Sequence, residues 1–165
     1  MSQPDVISSR LVEATTDRVY SVLADYRNGH PSILPKKYFS GLTVESGGFG
    51  DGTIIRFHMN VLGQSHLLRA SIMEVVPGFV LVENVLSTGH VTTFRLQPRA
   101  EGRHALVTIA TELKTKSGVT GRIERFFLVR FLRKVYAEEL RLLAAVVEHK
   151  SLAHRPTKIG EKVLV

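Results

Sequence analysis

Hydrophobic positions recur with helical spacing over the last long stretch of the chain, Val119 to His149. At about 100° per residue, this stretch has one broad apolar face and an opposite basic face. The apolar face holds Leu128, Leu132, Val135, Tyr136, Leu142, Leu143 and Val146, and the basic face holds Arg130, Arg133, Lys134 and Arg141. Roughly 30 residues at about 1.5 Å each predict a helix about 45 Å long. Such a helix needs a large apolar partner to cover its stripe.

The first third of the chain predicts a strand, two short helices and a second strand. Val6 to Glu13 is strand-like, and the Thr15-Thr16 pair can cap the helix that follows. That helix carries apolar residues at the i, i+3, i+4 and i+7 positions, namely Val19, Val22, Leu23 and Tyr26. Asn28-Gly29 ends it, one further helical turn runs from Pro31 through Leu34, and Phe39 to Ser46 is the second strand.

Between Thr53 and Leu113, strand-like runs alternate with short turn signals. The turns are Gly63-Gln64, Pro77-Gly78, Thr88-Gly89 and the stretch Arg99 to Gly102. We therefore expect five more antiparallel strands, which makes a sheet of seven. If the first three turns have two residues and the last has four, Val61 opposes His66, Val76 opposes Phe79, Ser87 opposes His90 and Pro98 opposes Arg103.

These pairings predict that one face of the sheet is apolar and carries the long helix. The inward residues are Ile55, Phe57, Met59, Val61, His66, Leu68, Ala70, Ile72, Phe79, Leu81, Glu83, Val85, His90, Thr92, Phe94, Leu96, Ala105, Val107, Ile109 and Thr111. The opposite face is more polar, but it also carries Leu67, Met73, Val75, Val80, Val82 and Leu86. These aliphatic side chains predict either a homodimer surface or scattered exposed residues on β-prone strands.

Composition narrows the class of protein. The 165 residues contain no cysteine, which excludes a disulfide framework, a thiolate metal site and a cysteine nucleophile. The net charge of +7 permits contact with anionic partners, but aromatic residues make up only 7% and do not alternate with basic ones as in base-stacking surfaces. We expect no nucleic-acid partner, no signal peptide and a cytoplasmic location. Residues 1–150 are expected to form one domain, and residues 151–165 a mobile tail.

Glu83 is the most informative candidate for chemistry, because the register places it inward in the central strands, across from Ile72 and Phe94. A buried carboxyl group can act as a general acid or base, or can bind a ligand hydroxyl. The alternative is a register error, or a position at the sheet rim where Glu83 pairs with an arginine. His66 and His90 are predicted to point inward near one end of the sheet and could assist it, although we favour ordinary pocket or rim histidines over a catalytic role. No metal motif and no nucleophile elbow for a hydrolase triad occur in the sequence, so we expect no metal.

Several motifs resemble the START/SRPBCC superfamily, which has the helix-grip fold, and are most similar to its polyketide cyclase/dehydrase-like branch. The run from Val12 through Tyr26 resembles the opening strand and helix of that superfamily. Gly47 to Thr53 resembles its glycine-rich loop, Val75 to Gly78 its turn, and Tyr136 to Leu140 a motif of its closing helix. The likeness spans about residues 5 to 149. It implies an α+β fold in which a seven-stranded antiparallel curved sheet wraps around the C-terminal helix, with two short helices between strands 1 and 2.

The resemblance also implies a cavity between sheet and helix for a small hydrophobic molecule, such as a lipid, a polyketide or a quinone, with no cofactor. We expect binding or transport of that molecule, and a cyclase or dehydratase with Glu83 as general acid/base is the alternative. The predicted ligand-binding residues are Phe57, Met59, Leu68, Ala70, Glu83, Val85, Thr92, Phe94, Val107, Ile109, Leu132 and Tyr136.

Two further expectations concern access to that cavity. Four glycines in Gly47 to Gly52 give this loop backbone freedom, so that Gly48, Phe49 and Gly50 could form a gate that closes near Phe126 and Phe127. An ordinary flexible connection between strands explains the loop equally well. The basic and aromatic start of the long helix could contact an anionic membrane. We favour the alternative, in which this part of the helix is a solvated surface.

Overall fold

The computed structural model describes residues 3–152, with side chains described through residue 148. The elements are β1 (Val6–Val12), α1 (Thr16–Ala24), α2 (Gly29–Ile33), β2 (Phe39–Ser46), β3 (Ile54–Val61), β4 (Gln64–Val76), β5 (Val80–Val85), β6 (Val91–Arg99), β7 (His104–Glu112) and α3 (Val119–Leu152). The predicted tail, residues 151–165, lies outside the described residues from 153 onward, and its first two residues continue α3.

The seven strands form one antiparallel sheet in the order β1-β7-β6-β5-β4-β3-β2. The curved sheet, the long C-terminal helix and the two short helices between β1 and β2 confirm the predicted helix-grip fold. Thr15 caps α1, since its side chain accepts a hydrogen bond from the backbone N–H of Arg18. The apolar residues predicted for that helix are buried, Tyr26 included.

The long helix α3 crosses the concave face of the sheet and closes it. Its backbone approaches β1, α2 and α1 most extensively. Val135, Leu143 and Val147 point into the core and are almost fully buried. Since the backbone of α3 lies close to β1 and the short helices, only its side chains reach towards the middle strands of the sheet. This arrangement leaves space beneath the helix.

Three of the four predicted hairpin registers are wrong by two residues. Val61 pairs with Gln64 instead of His66, Pro98 pairs with Ala105 instead of Arg103, and Val85 rather than Ser87 closes the turn at His90. Each turn therefore sits at different residues from those that the sequence signals suggested. A shift of two residues keeps every side chain on its predicted face, because side chains alternate with a period of two.

Two residues predicted to point inward are exposed. His66 lies near the tip of the β3–β4 hairpin, and Phe79 is 38% exposed. A register irregularity between Glu74 and Val76 pairs Val76 with Val80, so that Val80 is buried although its predicted face is the outer one. The bulge explains why the alternation fails only beside this turn.

Candidate functional site

A cavity lies between α3, α2 and strands β2 to β7. Its lining consists of His30, Leu34, Phe39, Leu42, Ile55, Phe57, Met59, Leu68, Glu83, Val85, His90, Thr92, Phe94, Thr111, Leu132, Tyr136 and Glu139. Most of these side chains are aliphatic or aromatic, and the polar ones come from α2, β5, β6, β7 and α3. An apolar cavity with a few polar groups is the usual composition of a small-molecule site.

The cavity has a volume of about 90 Å³. Drug-sized ligands generally occupy pockets of roughly 300–1,000 Å³, so this conformation holds several water molecules or a slender ligand without rearrangement. Met59, Leu68 and Val85 line the cavity and are only half-buried. The partial exposure of these side chains shows that the cavity is not fully closed to solvent at β3, β4 and β5.

Glu83 lies in a polar cluster with Tyr26 and His30. The Tyr26 hydroxyl donates to Glu83 Oε1 over 2.6 Å, and His30 Nε2 lies 3.6 Å from the same oxygen. His30 Nδ1 is 2.8 Å from the Leu23 carbonyl, and because a carbonyl oxygen only accepts, Nδ1 carries the hydrogen. Burial, followed by the charge of Glu83, raises the pKa of Tyr26 well above its ordinary value. Tyr26 therefore stays a donor to Glu83.

Glu139 is a second carboxyl group in the lining and is only 3% exposed. Its Oε1 atom has no hydrogen-bond partner among the described residues. Burial, followed by repulsion from Glu83, raises the pKa of Glu139 well above its ordinary value. Two carboxyl groups in one low-dielectric cavity resist simultaneous ionisation. The raised pKa of Glu139 favours its protonated form.

Three hydroxyl groups link α3 to strands β7 and β6. Tyr136 Oη lies 2.5 Å from Thr111 Oγ1, which lies 2.9 Å from Thr92 Oγ1. Burial raises the pKa of Tyr136, while its hydrogen bonds to Thr111 and Thr92 act in the opposite direction. The chain of hydroxyls satisfies the buried polar groups of β6 and β7 and adds neutral donors and acceptors to the cavity wall.

His90 enters the cavity from the turn between β5 and β6. Its Nδ1 accepts a hydrogen bond from the backbone N–H of Lys114 over 3.0 Å, which places the hydrogen of the neutral ring on Nε2. Partial burial lowers the pKa of His90, although Glu124 and Asp5 act against that shift. The structure thus gives His90 the neutral form in a fixed tautomer.

The structure brings most of the sequence-predicted site residues together. Phe57, Met59, Leu68, Glu83, Val85, His90, Thr92, Phe94, Leu132 and Tyr136 all line the cavity. Ala70, Val107 and Ile109 are instead packed into the core, and His66 is exposed and away from the cavity. His66 is not placed beside Glu83, because it lies six residues along β4 from Ile72, the strand partner of Glu83.

Sequence reasoning missed Tyr26, His30 and Glu139 as members of the polar cluster. Glu139 follows Leu132 by seven residues and Tyr136 by three, so its helical position falls in the middle of the buried stripe of α3. That spacing was a usable signal. Tyr26 was predicted only as an apolar helix residue, and a five-residue helix such as α2 gives no periodic signal for His30.

The predicted gate lies elsewhere than expected. Phe49 is 58% exposed, and its ring meets the edge of Tyr20 on α1 at a centroid distance of 6.3 Å. Gly48 accepts a hydrogen bond from the N–H of Tyr26, and the Gly50 N–H donates to the Ala24 carbonyl, each over 2.9 Å. The loop is therefore tied to the end of α1, and the structure does not place Phe49 at the start of α3. A ligand-dependent movement of this loop stays a prediction.

Most of the apolar residues that suggested a membrane contact or a homodimer are exposed on the surface, as predicted. Phe126 and Phe127 are exposed at the start of α3, and Leu67, Met73 and Val75 are exposed on the outer face of the sheet. In the part of the chain that the structure describes, no helix has both the length and the apolarity to cross a membrane. Membrane contact and dimer formation both stay predictions.

Known structures share this fold. The chain is similar to the KanY protein, solved by NMR, at 26% identity and a TM-score of 0.77, over 90% of this chain and 99% of that one. It is also similar to the Zhui aromatase/cyclase from Streptomyces sp. R1128, at 17% identity and a TM-score of 0.73, over 88% and 94%. A START superfamily protein from Mycobacterium smegmatis matches at 14% identity and a TM-score of 0.68, over 88% and 97%.

No curated protein sequence is detectably similar to the chain. A family match is nevertheless clear and covers residues 3–148, nearly all of the described structure. The description of that family names two roles, polyketide cyclase or dehydrase activity and lipid transport. The chain belongs to the polyketide cyclase / dehydrase and lipid transport family.

Proposed function

We propose that this protein binds a small, largely apolar molecule in the cavity between α3 and the sheet. The observation that carries the proposal is the composition of the cavity, whose apolar wall is interrupted by carboxyl, hydroxyl and imidazole groups. Apolar side chains supply most of the affinity for such a ligand, and a few fixed polar groups orient it. The family description, which includes lipid transport, supports the same function.

Filling the cavity tests this proposal. Leu68→Trp enlarges a half-buried cavity residue, whereas Leu67→Trp makes the same change on the outer face, where Leu67 is 56% exposed. The neutral, polarity-sensitive dye prodan serves as the probe. Overpacking an internal site costs about 1–3 kcal/mol, so Leu68→Trp should weaken dye binding by about 5- to 150-fold. Leu67→Trp should bind the dye like the unchanged protein.

Equal binding by both variants would place the dye outside the cavity and contradict the proposal. Native mass spectrometry of the purified protein gives an independent readout. A copurifying apolar molecule that is present in the Leu67→Trp protein and absent from the Leu68→Trp protein would support the cavity as its site.

A second candidate function is a cyclase or dehydratase reaction with Glu83 as general acid/base. It is favoured by the Tyr26–Glu83–His30 cluster, in which a carboxyl group has both a hydroxyl donor and an imidazole nitrogen within 3.6 Å. Such a cluster can hold a proton or pass it to a bound ketone. The structural neighbour described as an aromatase/cyclase supports this candidate at the level of the fold.

Incubation with a linear poly-β-ketone, followed by mass spectrometry of cyclised products, tests the second candidate. Glu83→Gln should abolish turnover while the protein still binds the ketone, and Glu138→Gln, an exposed change on α3, should leave turnover intact. Product formation at the uncatalysed rate by the unchanged protein would exclude cyclase activity on this substrate class.

A further inference from the structure

The cavity holds no permanently cationic side chain among the described residues, and its basic groups are the imidazoles of His30 and His90. Its lining contains two carboxyl groups, Glu83 and Glu139, and neither lysine nor arginine occurs among the described residues that form it. A carboxylate or phosphate on a ligand would therefore meet like charge in a low-dielectric site, without a permanent cation to offset it. This distribution of charge disfavours ligands with anionic head groups, such as fatty acids and phospholipids.

Glu139 indicates which ligand group the cavity favours. Its carboxyl group is almost completely buried, faces the cavity, and leaves Oε1 without a hydrogen-bond partner among the described residues. An unsatisfied buried polar atom destabilises a folded protein, and a ligand group that pairs with it removes that cost. A protonated carboxyl group can donate to a carbonyl oxygen or accept from a hydroxyl.

The neighbouring polar wall has the same neutral character. Tyr136 lies three residues before Glu139 on α3, and its hydroxyl is shared with Thr111, which in turn contacts Thr92. These groups offer hydroxyl donors and acceptors and no formal charge. A ligand with one neutral oxygen beside Glu139 could form hydrogen bonds with these hydroxyl groups. The rest of its surface would contact Leu132, Phe57 and other apolar side chains.

We propose that the cavity selects neutral apolar molecules with a hydroxyl or carbonyl group that pairs with the Glu139 carboxyl, and that it rejects carboxylates and phosphates of similar size. This inference rests on the proposed binding function and specifies its ligand class. An amine is the one competing ligand chemistry, because an ionised Glu139 would attract an ammonium group.

Four compounds on one naphthalene frame separate these chemistries. Naphthalene, 2-naphthol, 2-naphthoate and 2-naphthylmethylamine are titrated by calorimetry near neutral pH. A hydrogen bond contributes roughly 0.5–1.5 kcal/mol, so 2-naphthol should bind about 3- to 10-fold more tightly than naphthalene. We expect 2-naphthoate to bind at least about tenfold more weakly than 2-naphthol, because its charge is buried without a partner.

Three variants assign the preference to Glu139. Glu139→Leu should bind 2-naphthol and naphthalene equally, whereas Glu139→Gln should keep the preference, since an amide also donates and accepts. Glu138→Gln changes the adjacent residue, which is paired with Arg141 on the outside of α3, and should behave like the unchanged protein. Thermal unfolding of each variant verifies that it is folded.

The outcomes are distinguishable from a failure of the binding function. If prodan binds in the cavity but all four naphthalenes bind with equal affinity, or none binds, the selectivity inference is wrong and the binding function stands. Tightest binding of the amine, lost in Glu139→Gln, would assign an ionised Glu139 and overturn the inference. Binding of 2-naphthoate as tight as that of 2-naphthol would do the same.

Discussion

Replacing Glu139 with glutamine should change how the stability of the protein depends on pH. Burial and the nearby Glu83 raise the pKa of Glu139 above its ordinary value of 4.5, so the folded protein binds this proton more tightly than the unfolded chain. The resulting stabilisation is fully present below pH 4.5 and is lost as the pH rises towards the folded-state pKa. Glu83, His30, His90 and Tyr136 are the other titratable groups in the cavity lining.

The magnitude follows from proton linkage. Between pH 4.5 and the folded-state pKa of Glu139, the folded protein binds one more proton at this residue than the unfolded chain does. The contribution of Glu139 to the free energy of unfolding therefore falls by about 1.4 kcal/mol for each pH unit. Glutamine does not titrate. The difference in free energy of unfolding between the unchanged protein and Glu139→Gln should therefore decline with that slope, in favour of the variant, from about pH 4.5 upward.

Urea denaturation at several pH values, followed by circular dichroism, measures this difference. Glu138→Gln is the matched control, because the Glu138 side chain is 41% exposed and its hydrogen bond to Arg141 lowers its pKa. Its linkage has the opposite sign, so its stabilisation is lost as the pH falls. A difference for Glu139→Gln that stays constant between pH 4.5 and 8 would mean that Glu139 titrates as an exposed carboxyl does, and would refute the reasoning.

Two further substitutions test the framework around the cavity. Tyr136→Phe removes the hydroxyl that lies 2.5 Å from Thr111 Oγ1 and should lower the free energy of unfolding by about 1 kcal/mol in urea titrations, whereas no loss would mean that Thr92 alone satisfies Thr111. Gly29→Ala should cost about 1–3 kcal/mol in the same assay, because its Cβ would lie 2.5 Å from the backbone carbonyl oxygen of Val22, and a neutral result would show that α2 can shift freely against α1.

The fold was predictable because its determinants are periodic. Alternation along the strands fixes which side chains face inward, and this survives a register error of two residues, as the pairing of Pro98 with Ala105 shows. Prediction failed where a local feature interrupts the period. The irregularity next to Val76 buries Val80 and exposes Phe79, and no spacing rule in the sequence indicates where a bulge occurs.

The site was only partly predictable, for a different reason. Glu83 was found because a carboxyl group at an inward strand position conflicts with the apolar pattern around it. Tyr26 and His30 escaped because aromatic rings are unremarkable on an apolar helix face, and their role depends on a three-dimensional meeting with β5. Their rings stack at a centroid distance of 4.5 Å, a contact across the junction of α1 and α2 that no sequence period records.

The two carboxyl groups of the cavity differ in their partners, and this difference separates binding from catalysis. Glu83 already accepts a hydrogen bond from Tyr26 and has His30 within 3.6 Å, so a ligand gains little by replacing those contacts, whereas proton transfer can use them. Glu139 Oε1 has no such partner among the described residues, so a ligand gains most there. Glu139→Leu should therefore weaken 2-naphthol binding more than Glu83→Gln does, while Glu83→Gln should dominate any loss of turnover. Equal losses of binding in the two variants would mean that the carboxyl groups hold the ligand as one unit.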